Sequence, residues 1–376
     1  MDLAFTREDE AFRAQARAWL RAHVPATPLP SLETREGFAA HRAWEAELAA
    51  GRWSVVDWPV EYGGRDCGLV RWLVFEEEYY AAGAPGRVGQ NGVSLLAPTL
   101  FDHGTAEQRA RVLPSMATGE VIWAQAWSEP EAGSDLASLR SKGVRTDGGW
   151  LLSGQKTWSS RAAFADRAFG LFRTDPDAPS PHQGLTYLMF DLRAPGVTVR
   201  PIRRLDGKPA FAELFLDEVF VPDEDVIGEP GQGWRIAMSA AGNERGLMLR
   251  SPGRFLAAAD RLFALWTSLD APPATRTRVA DALIGARAYQ LFTYAAAARV
   301  LDGERLGPES SLNKVFWSEY DIALTETALD LLGEEEDPEW TERYVFALAG
   351  PIYAGTNEIQ RDIIAERLLG LPKGRR

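Results

Sequence analysis

The sequence predicts an α+β protein in three parts: an N-terminal helical domain over residues 1–120, a middle β domain of barrel or sandwich type over 121–229, and a C-terminal helical bundle over 230–376. Three observations carry this expectation. The apolar period is helical as far as about Gly119, changes to short β-rich runs at Val121, and becomes helical again after Gly231-Gln-Gly233. The strand signals are gathered in one block and do not alternate with helices, which separates α+β from α/β architecture. At 376 residues the chain is long enough for two or three units around a large core.

Along the chain, Leu3, Phe5, Phe12, Ala16, Trp19 and Leu20 recur at three- and four-residue spacing, as on one face of an amphipathic helix. A second helix is expected from about Gly37 to Ala50, ended by Gly51. The loop Trp58-Pro-Val-Glu-Tyr-Gly-Gly64 follows, then helices near 70–82 and 105–118. Trp150-Leu-Leu, Phe169-Gly-Leu-Phe, Leu185-Thr-Tyr-Leu-Met-Phe, Val197-Thr-Val and Glu213-Leu-Phe-Leu read as antiparallel strands. Turn signals such as Thr146-Asp-Gly-Gly149 and Arg193-Ala-Pro-Gly196 separate them, and the block closes at Val221-Pro-Asp-Glu-Asp225. The remainder, with its alanine-rich stretches, reads as four or five bundled helices, the last from near Asn357 to Gly370-Leu-Pro372.

Composition excludes several function classes. The apolar share of 45% and charged share of 25% are those of a globular protein. A net charge of −12 argues against a nucleic-acid partner. Cys67 is the only cysteine, which leaves no intramolecular disulfide and no CxxC site. His23, His41, His103 and His182 lack ligand spacing, so no metal is expected. The acidic start reads as a helix and not a signal peptide, and no apolar run approaches the roughly 18 residues of a membrane span. A cytoplasmic location is the expectation. GxGxxG after a strand, the Walker loop, HExxH and GxSxG are all missing. Ser311-x-x-Lys314 fits a nucleophile motif by spacing alone.

Three blocks remain. One runs Trp123-Ala-Gln-Ala-Trp-Ser-Glu-Pro-Glu-Ala-Gly-Ser-Asp135, with Gly154-Gln-Lys-Thr-Trp-Ser-Ser160 after it. The next runs from Asp217-Glu-Val-Phe-Val-Pro222 through Gly228-Glu-Pro-Gly-Gln-Gly-Trp234 to Glu244-Arg-Gly246. The last joins Ile352-Tyr-Ala-Gly-Thr-Asn-Glu-Ile-Gln360 to Ala365-Glu-Arg-Leu-Leu-Gly-Leu-Pro372. In order and spacing they resemble the acyl-CoA dehydrogenases over nearly the whole chain, specifically the actinobacterial-type branch. The resemblance implies an N-terminal helical domain, a middle β-barrel-like domain, a C-terminal four-helix bundle and a bound FAD. It also implies a homotetramer or heterotetramer, with electron-transfer flavoprotein as the electron acceptor.

The resemblance places Gln125, Trp127, Ser128, Gly133 and Ser134 along the flavin, with Ser128 at its edge and Ser134 near the CoA arm of the substrate. It puts Trp158 on the flavin face and Ser160 near the reactive N5, with Thr356 and Glu358 touching FAD. Abstraction of the α-proton of a thioester needs a carboxylate. Many relatives carry it directly before the Gly-Thr of the third block, where this chain has Ala354. A second branch carries it in a Glu-Arg pair on a C-terminal-domain helix, and Glu244-Arg245 stands at that place. The resemblance therefore implies Glu244 as base, with Arg245 orienting it or the CoA. In the implied reaction the β-hydrogen leaves as hydride to flavin N5.

Two family features are altered. The segment Leu265–Thr277 is short and lacks an Arg-x-x-Phe-Gly element, for which Arg276 stands in. Where relatives have a Gln-x-x-Gly-Gly loop, this chain has Asp330-Leu-Leu-Gly333 and then Glu334-Glu-Glu-Asp337. The rival readings are a non-catalytic or co-catalytic subunit of a heteromeric dehydrogenase and a flavin monooxygenase of the same fold.

Overall fold

In the computed structural model of the chain, residues 5–245, 251–269, 271–304 and 307–374 are described, those from 240 to 245 by backbone only. Helix α1 (Arg7–His23) buries Phe12, Ala16 and Leu20 of the expected stripe and leaves Trp19 half-buried; Phe5 precedes the helix, and Leu3 lies outside the described residues. Helices α2 (Arg35–Ala50), α3 (Gly68–Ala81) and α5 (Ala106–Ala117) form where expected. The segment 92–103, for which the spacing gives no expectation, is helical too: a π turn runs into α4 (Ala97–His103).

Eight strands form one sheet: β1 (Trp123–Ala126), β2 (Lys142–Thr146), β3 (Gly149–Ser160), β4 (Arg167–Arg173), β5 (Leu185–Asp191), β6 (Val197–Ile202), β7 (Phe211–Pro222) and β8 (Val226–Ile227). The order is β6-β7-β3-β2-β4-β5-β8, with β1 paired to β4. The antiparallel expectation fails on β4, to which β1 runs parallel from Trp123 opposite Arg167 to Ala126 opposite Gly170, and β2 at the pair Lys142–Arg173. Gly170 permits that approach, because a Cβ there would stand 2.3 Å from the Ala126 carbonyl oxygen. Phe169, Leu171, Tyr187 and Met189 enter one core with Leu96, Leu113 and Ile236. Phe172, Leu188 and Phe190 enter another with Phe38, Trp150 and Leu214. Burial on both faces is why β4 and β5 read as continuous apolar runs.

The chain divides into two compact units that interleave in sequence. One comprises residues 27–66 and 85–243 and holds α2, α4, α5, the sheet and most of α6 (Gly233–Arg245). The other comprises residues 1–26, 67–84 and 244–376. It holds α1, α3, α7 (Pro252–Ser268), α8 (Arg276–Leu301), α9 (Ser310–Leu332), α10 (Pro338–Ala347) and α11 (Asn357–Ile363). There α7 lies against α3 at Gly253, where a Cβ would meet the Glu76 carbonyl oxygen at 2.6 Å. Asp321 on α9 joins Arg254 on α7 (2.6 Å) to Arg343 on α10 (3.3 Å). The last helix is regular only to Ile363 and continues as a π turn to Leu368, short of the expected Gly370. Among the described residues, no helix is long and apolar enough to cross a membrane.

Helix α5 is tied to the segment 224–226 by Gln108 and by Arg111, whose guanidinium donates to Glu224 O (3.0 Å) and to the Asp225 carboxylate (2.6 Å). Thr105 and Gln108 cap it reciprocally, and the Gln108 amide also donates to the carbonyls of Glu224 (2.9 Å) and Val226 (2.6 Å). Gln108→Ala is expected to cost about 2 kcal/mol, read as a lower melting temperature. An unchanged melt would mean that the cap and its two extra bonds carry no weight.

Candidate active site

Residues 127–134 form a tight turn after β1. Glu129 and Ala132 exchange backbone hydrogen bonds of 2.9 and 3.1 Å, with Pro130 and Glu131 at the exposed tip. Gly133 and Ser134 are exposed, Ser128 is half-buried, and Gln125 lies half-buried in β1 opposite Phe169. Trp127 is different: its indole is buried in the core, and its N–H donates to the Tyr187 hydroxyl at 3.1 Å. Its backbone carbonyl faces β3, where it accepts from the Lys156 ammonium.

Beneath this turn lies a charged group to which the sequence reading assigns no role. Lys156 on β3 has no exposure to solvent, and its ammonium donates to Glu129 Oε1 (2.8 Å), Leu171 O (2.7 Å) and Trp127 O (3.4 Å). Glu129 also accepts from the backbone N–H groups of Arg140 (2.7 Å) and Ser141 (2.9 Å). Burial pushes Lys156 down to about 8 against the raising effect of Glu129. Burial also pushes the Glu129 carboxyl up, but the Lys156 charge and the Arg140 N–H outweigh it, so the group sits below its ordinary value. One signal was available in the sequence: Lys156 falls on the same strand alternation as buried Trp150 and Leu152.

Two residues on, strand parity breaks. Lys156 pairs with Leu214 but Ser159 pairs with Ala212, so three steps of β3 oppose two of β7. The extra residue comes with a left-handed Trp158 (φ 59°), whose indole is 60% exposed while Lys156 and Ser159 point inward. A bulky residue with positive φ is strained. Trp158 meets Phe211 edge to face at 5.9 Å, and the neighbouring Thr157 N–H donates to Ser128 O at 2.9 Å. Ser160, half-buried, ends the strand. The structure thus brings Ser128, Trp158 and Ser160 together in one unit, with Gly133 and Ser134 on the adjoining turn.

The other candidates lie in the second unit, each in its own local setting. Arg276 is exposed at the start of α8. Thr356 caps α11, its hydroxyl accepting from the Ile359 N–H at 3.3 Å, and Glu358 is exposed in the first turn. Ala354 (φ 55°) and Gly355 (φ 77°) make a left-handed pair ahead of that helix, and the buried Gln360 amide donates to the Ala354 carbonyl at 3.1 Å. Glu244 and Arg245 occupy the last turn of α6 by backbone, and their side chains lie outside the described residues.

Comparison with known proteins shows the family. Models of the N-terminal, middle and C-terminal domains of acyl-CoA dehydrogenases match residues 6–120, 124–219 and 231–369. The acyl-CoA dehydrogenase IpdE1 of Mycolicibacterium smegmatis is 37% identical over 97% of this chain and 98% of its own. The acyl-CoA dehydrogenase FadE34 of Mycobacterium tuberculosis is 38% identical over 84% of this chain and 44% of its own. Among solved structures, the Tcur3481-Tcur3483 steroid ACAD superposes with a TM-score of 0.86 at 27% identity, covering 100% of both chains. The ChsE4-ChsE5 complex from Mycobacterium tuberculosis gives 0.85 at 26% identity, again over 100% of both chains.

Glu129 supplies a pH test. Its folded value lies below the unfolded one, so its contribution is complete above the ordinary 4.5 and is lost as pH falls through the lower folded value. Glu129→Gln leaves Lys156 without its anion and is expected to cost about 3–5 kcal/mol near neutrality. The gap in melting temperature from wild type should then narrow below about pH 4. A gap that stays constant with pH would show that the pair carries no charge-dependent stability.

Proposed function

This chain belongs to the acyl-CoA dehydrogenase family, and we propose that it removes the α-proton and a β-hydrogen of an acyl-CoA thioester to give the trans-2-enoyl-CoA. The family's cofactor is FAD, which when bound supplies the two-electron acceptor for the hydrogen leaving the β-carbon. The residues present fit it. An exposed, strained indole with half-buried hydroxyls of Ser128 and Ser160 close by suits a flat heteroaromatic ring with a polar edge. Trp158 is the observation that carries the reading, because the chain holds that ring in solvent at a conformational cost.

Each residue then has a task. Trp158 gives the flavin a face to pack on, while Gln125, Ser128 and Ser160 offer polar groups to its edge. Gly133 lets the chain approach the ligand closely, since nothing lies within 4 Å of where its Cβ would be. Ser134 binds the CoA arm. Thr356, Glu358 and Arg276 hold further parts of the cofactor. Glu244 takes the α-proton, and Arg245 orients it or the CoA. Hydrogen bonds to the thioester carbonyl stabilise the enolate-like charge that develops as the proton leaves. The acyl group is branched or bulky, a reading supported by the steroid ACAD among the similar structures. The electrons pass to an electron-transfer flavoprotein.

A second reading, a subunit that shares its active site with a different partner chain, is favoured by one feature. Where the family resemblance puts a Gln-x-x-Gly-Gly loop the chain has Asp330-Leu-Leu-Gly333 followed by the acidic run Glu334–Asp337, whose Asp337 is spent on capping α10 through Glu339 N (2.9 Å) and Trp340 N (3.1 Å).

Anaerobic mixing of the purified chain with a panel of acyl-CoA thioesters, steroid side-chain thioesters among them, tests the proposal. Wild type should bleach the visible flavin band, and Glu244→Gln should slow bleaching by about 10²–10⁴-fold. An equally fast variant removes Glu244 as the base. Bound FAD that no thioester bleaches sinks the dehydrogenase reading for that panel, and a chain that binds no FAD moves the shared-site reading to first place.

A further inference from the structure

Among the described residues, Lys156 is one of two lysines with no exposure to solvent, and the proposed chemistry does not use it. Its three hydrogen bonds reach three separate places: the Glu129 carboxylate, the Trp127 carbonyl at the start of the same turn, and the Leu171 carbonyl on β4. Glu129 extends the connection to Arg140 and Ser141, just before β2. Thr157, the next residue along, holds the Ser128 carbonyl. The turn carrying Ser128, Gly133 and Ser134 is thus held from beneath by one ammonium group and from the side by the strand that presents Trp158.

Volume alone does not explain a lysine here. An apolar side chain of similar size fills such a site at no loss of stability, often with a gain, once both charges are removed. It has no donors, however, and an ammonium has three, one for each of the acceptors present. What the lysine adds over a methionine is a fixed separation between the turn and β3.

We infer that Lys156, acting through Glu129 and the Trp127 carbonyl, is a positioning residue for the flavin, setting residues 127–134 against Trp158 before the cofactor arrives. The inference rests on the reading that this turn and Trp158 hold FAD. Preorganised contacts of this kind raise affinity by lowering the ordering cost of binding. A residue with a structural role alone changes the melting temperature and leaves the folded protein's affinity for FAD as it was.

The test is the double variant Lys156→Met/Glu129→Leu, which leaves no buried charge behind, compared with wild type after FAD is stripped from both full-length chains. Three quantities are read: the melting temperature without FAD, the FAD dissociation constant with the visible spectrum of the bound flavin, and amide exchange over residues 127–134. The expected result is a melt close to wild type, a dissociation constant raised tenfold or more, an altered flavin band and faster exchange in the turn. If the double variant does not fold, Lys156→Gln is measured in the same way at a temperature where its far-UV spectrum is that of wild type. A folded variant whose FAD affinity and spectrum match wild type overturns the inference and leaves the flavin reading standing. A wild-type chain that takes up no FAD overturns both.

Discussion

An ammonium group shut away from water has to be held by oxygen atoms, and that requirement organises the middle of this molecule. Lys156 finds its oxygens on β4 and in the turn after β1, so the two must lie within one side chain's reach of β3. The parallel pairing of β1 with β4 supplies this, and Gly170 gives the pairing its room. Sheet topology, the shape of the turn and the setting of Trp158 therefore depend on the same few contacts.

The other unit reaches a similar solution with different chemistry. Lys314, also fully buried, donates to the Asn357 side chain at 2.7 Å, and the Ser318 hydroxyl donates to the same oxygen at 3.1 Å. Asn357 sits between Thr356 and Glu358, so that candidate segment too is fixed by a buried cation from a neighbouring helix. This accounts for Lys314 better than the spacing Ser311-x-x-Lys314 does, since Ser311 is buried beside it on α9.

The parts of the fold legible in the sequence were those where one local pattern repeats. The stripe of α1 survives because its three buried residues fall on one face, and β4 and β5 could be read because both their faces are covered. β1 and β2 were not legible. The first is four residues long, and the second, Lys-Gly-Val-Arg-Thr, is mostly solvent-facing, so neither shows a strand period. Parallel pairing between β1 and β4 depends on contacts over 40 residues apart in sequence, about which local spacing says nothing. The candidate site was legible as residue types and not as conformation. No turn residue announces the left-handed backbone of Trp158, and only its place in the alternation of β3 sets Lys156 apart from a surface lysine. Trp127 carried the right context, yet its indole belongs to the core.

The bulge in β3 also bears on what lengths of chain this strand accepts. One surplus residue changes the parity of a strand, so removing any residue between Lys156 and Ser159 would restore simple alternation with β7. Without Thr157, Lys156 and Ser159 would still face inward and Trp158 would still face water, but the N–H that holds the Ser128 carbonyl would be gone. The surplus residue therefore serves the turn beside the strand, through that one N–H, and not the alternation of the strand itself.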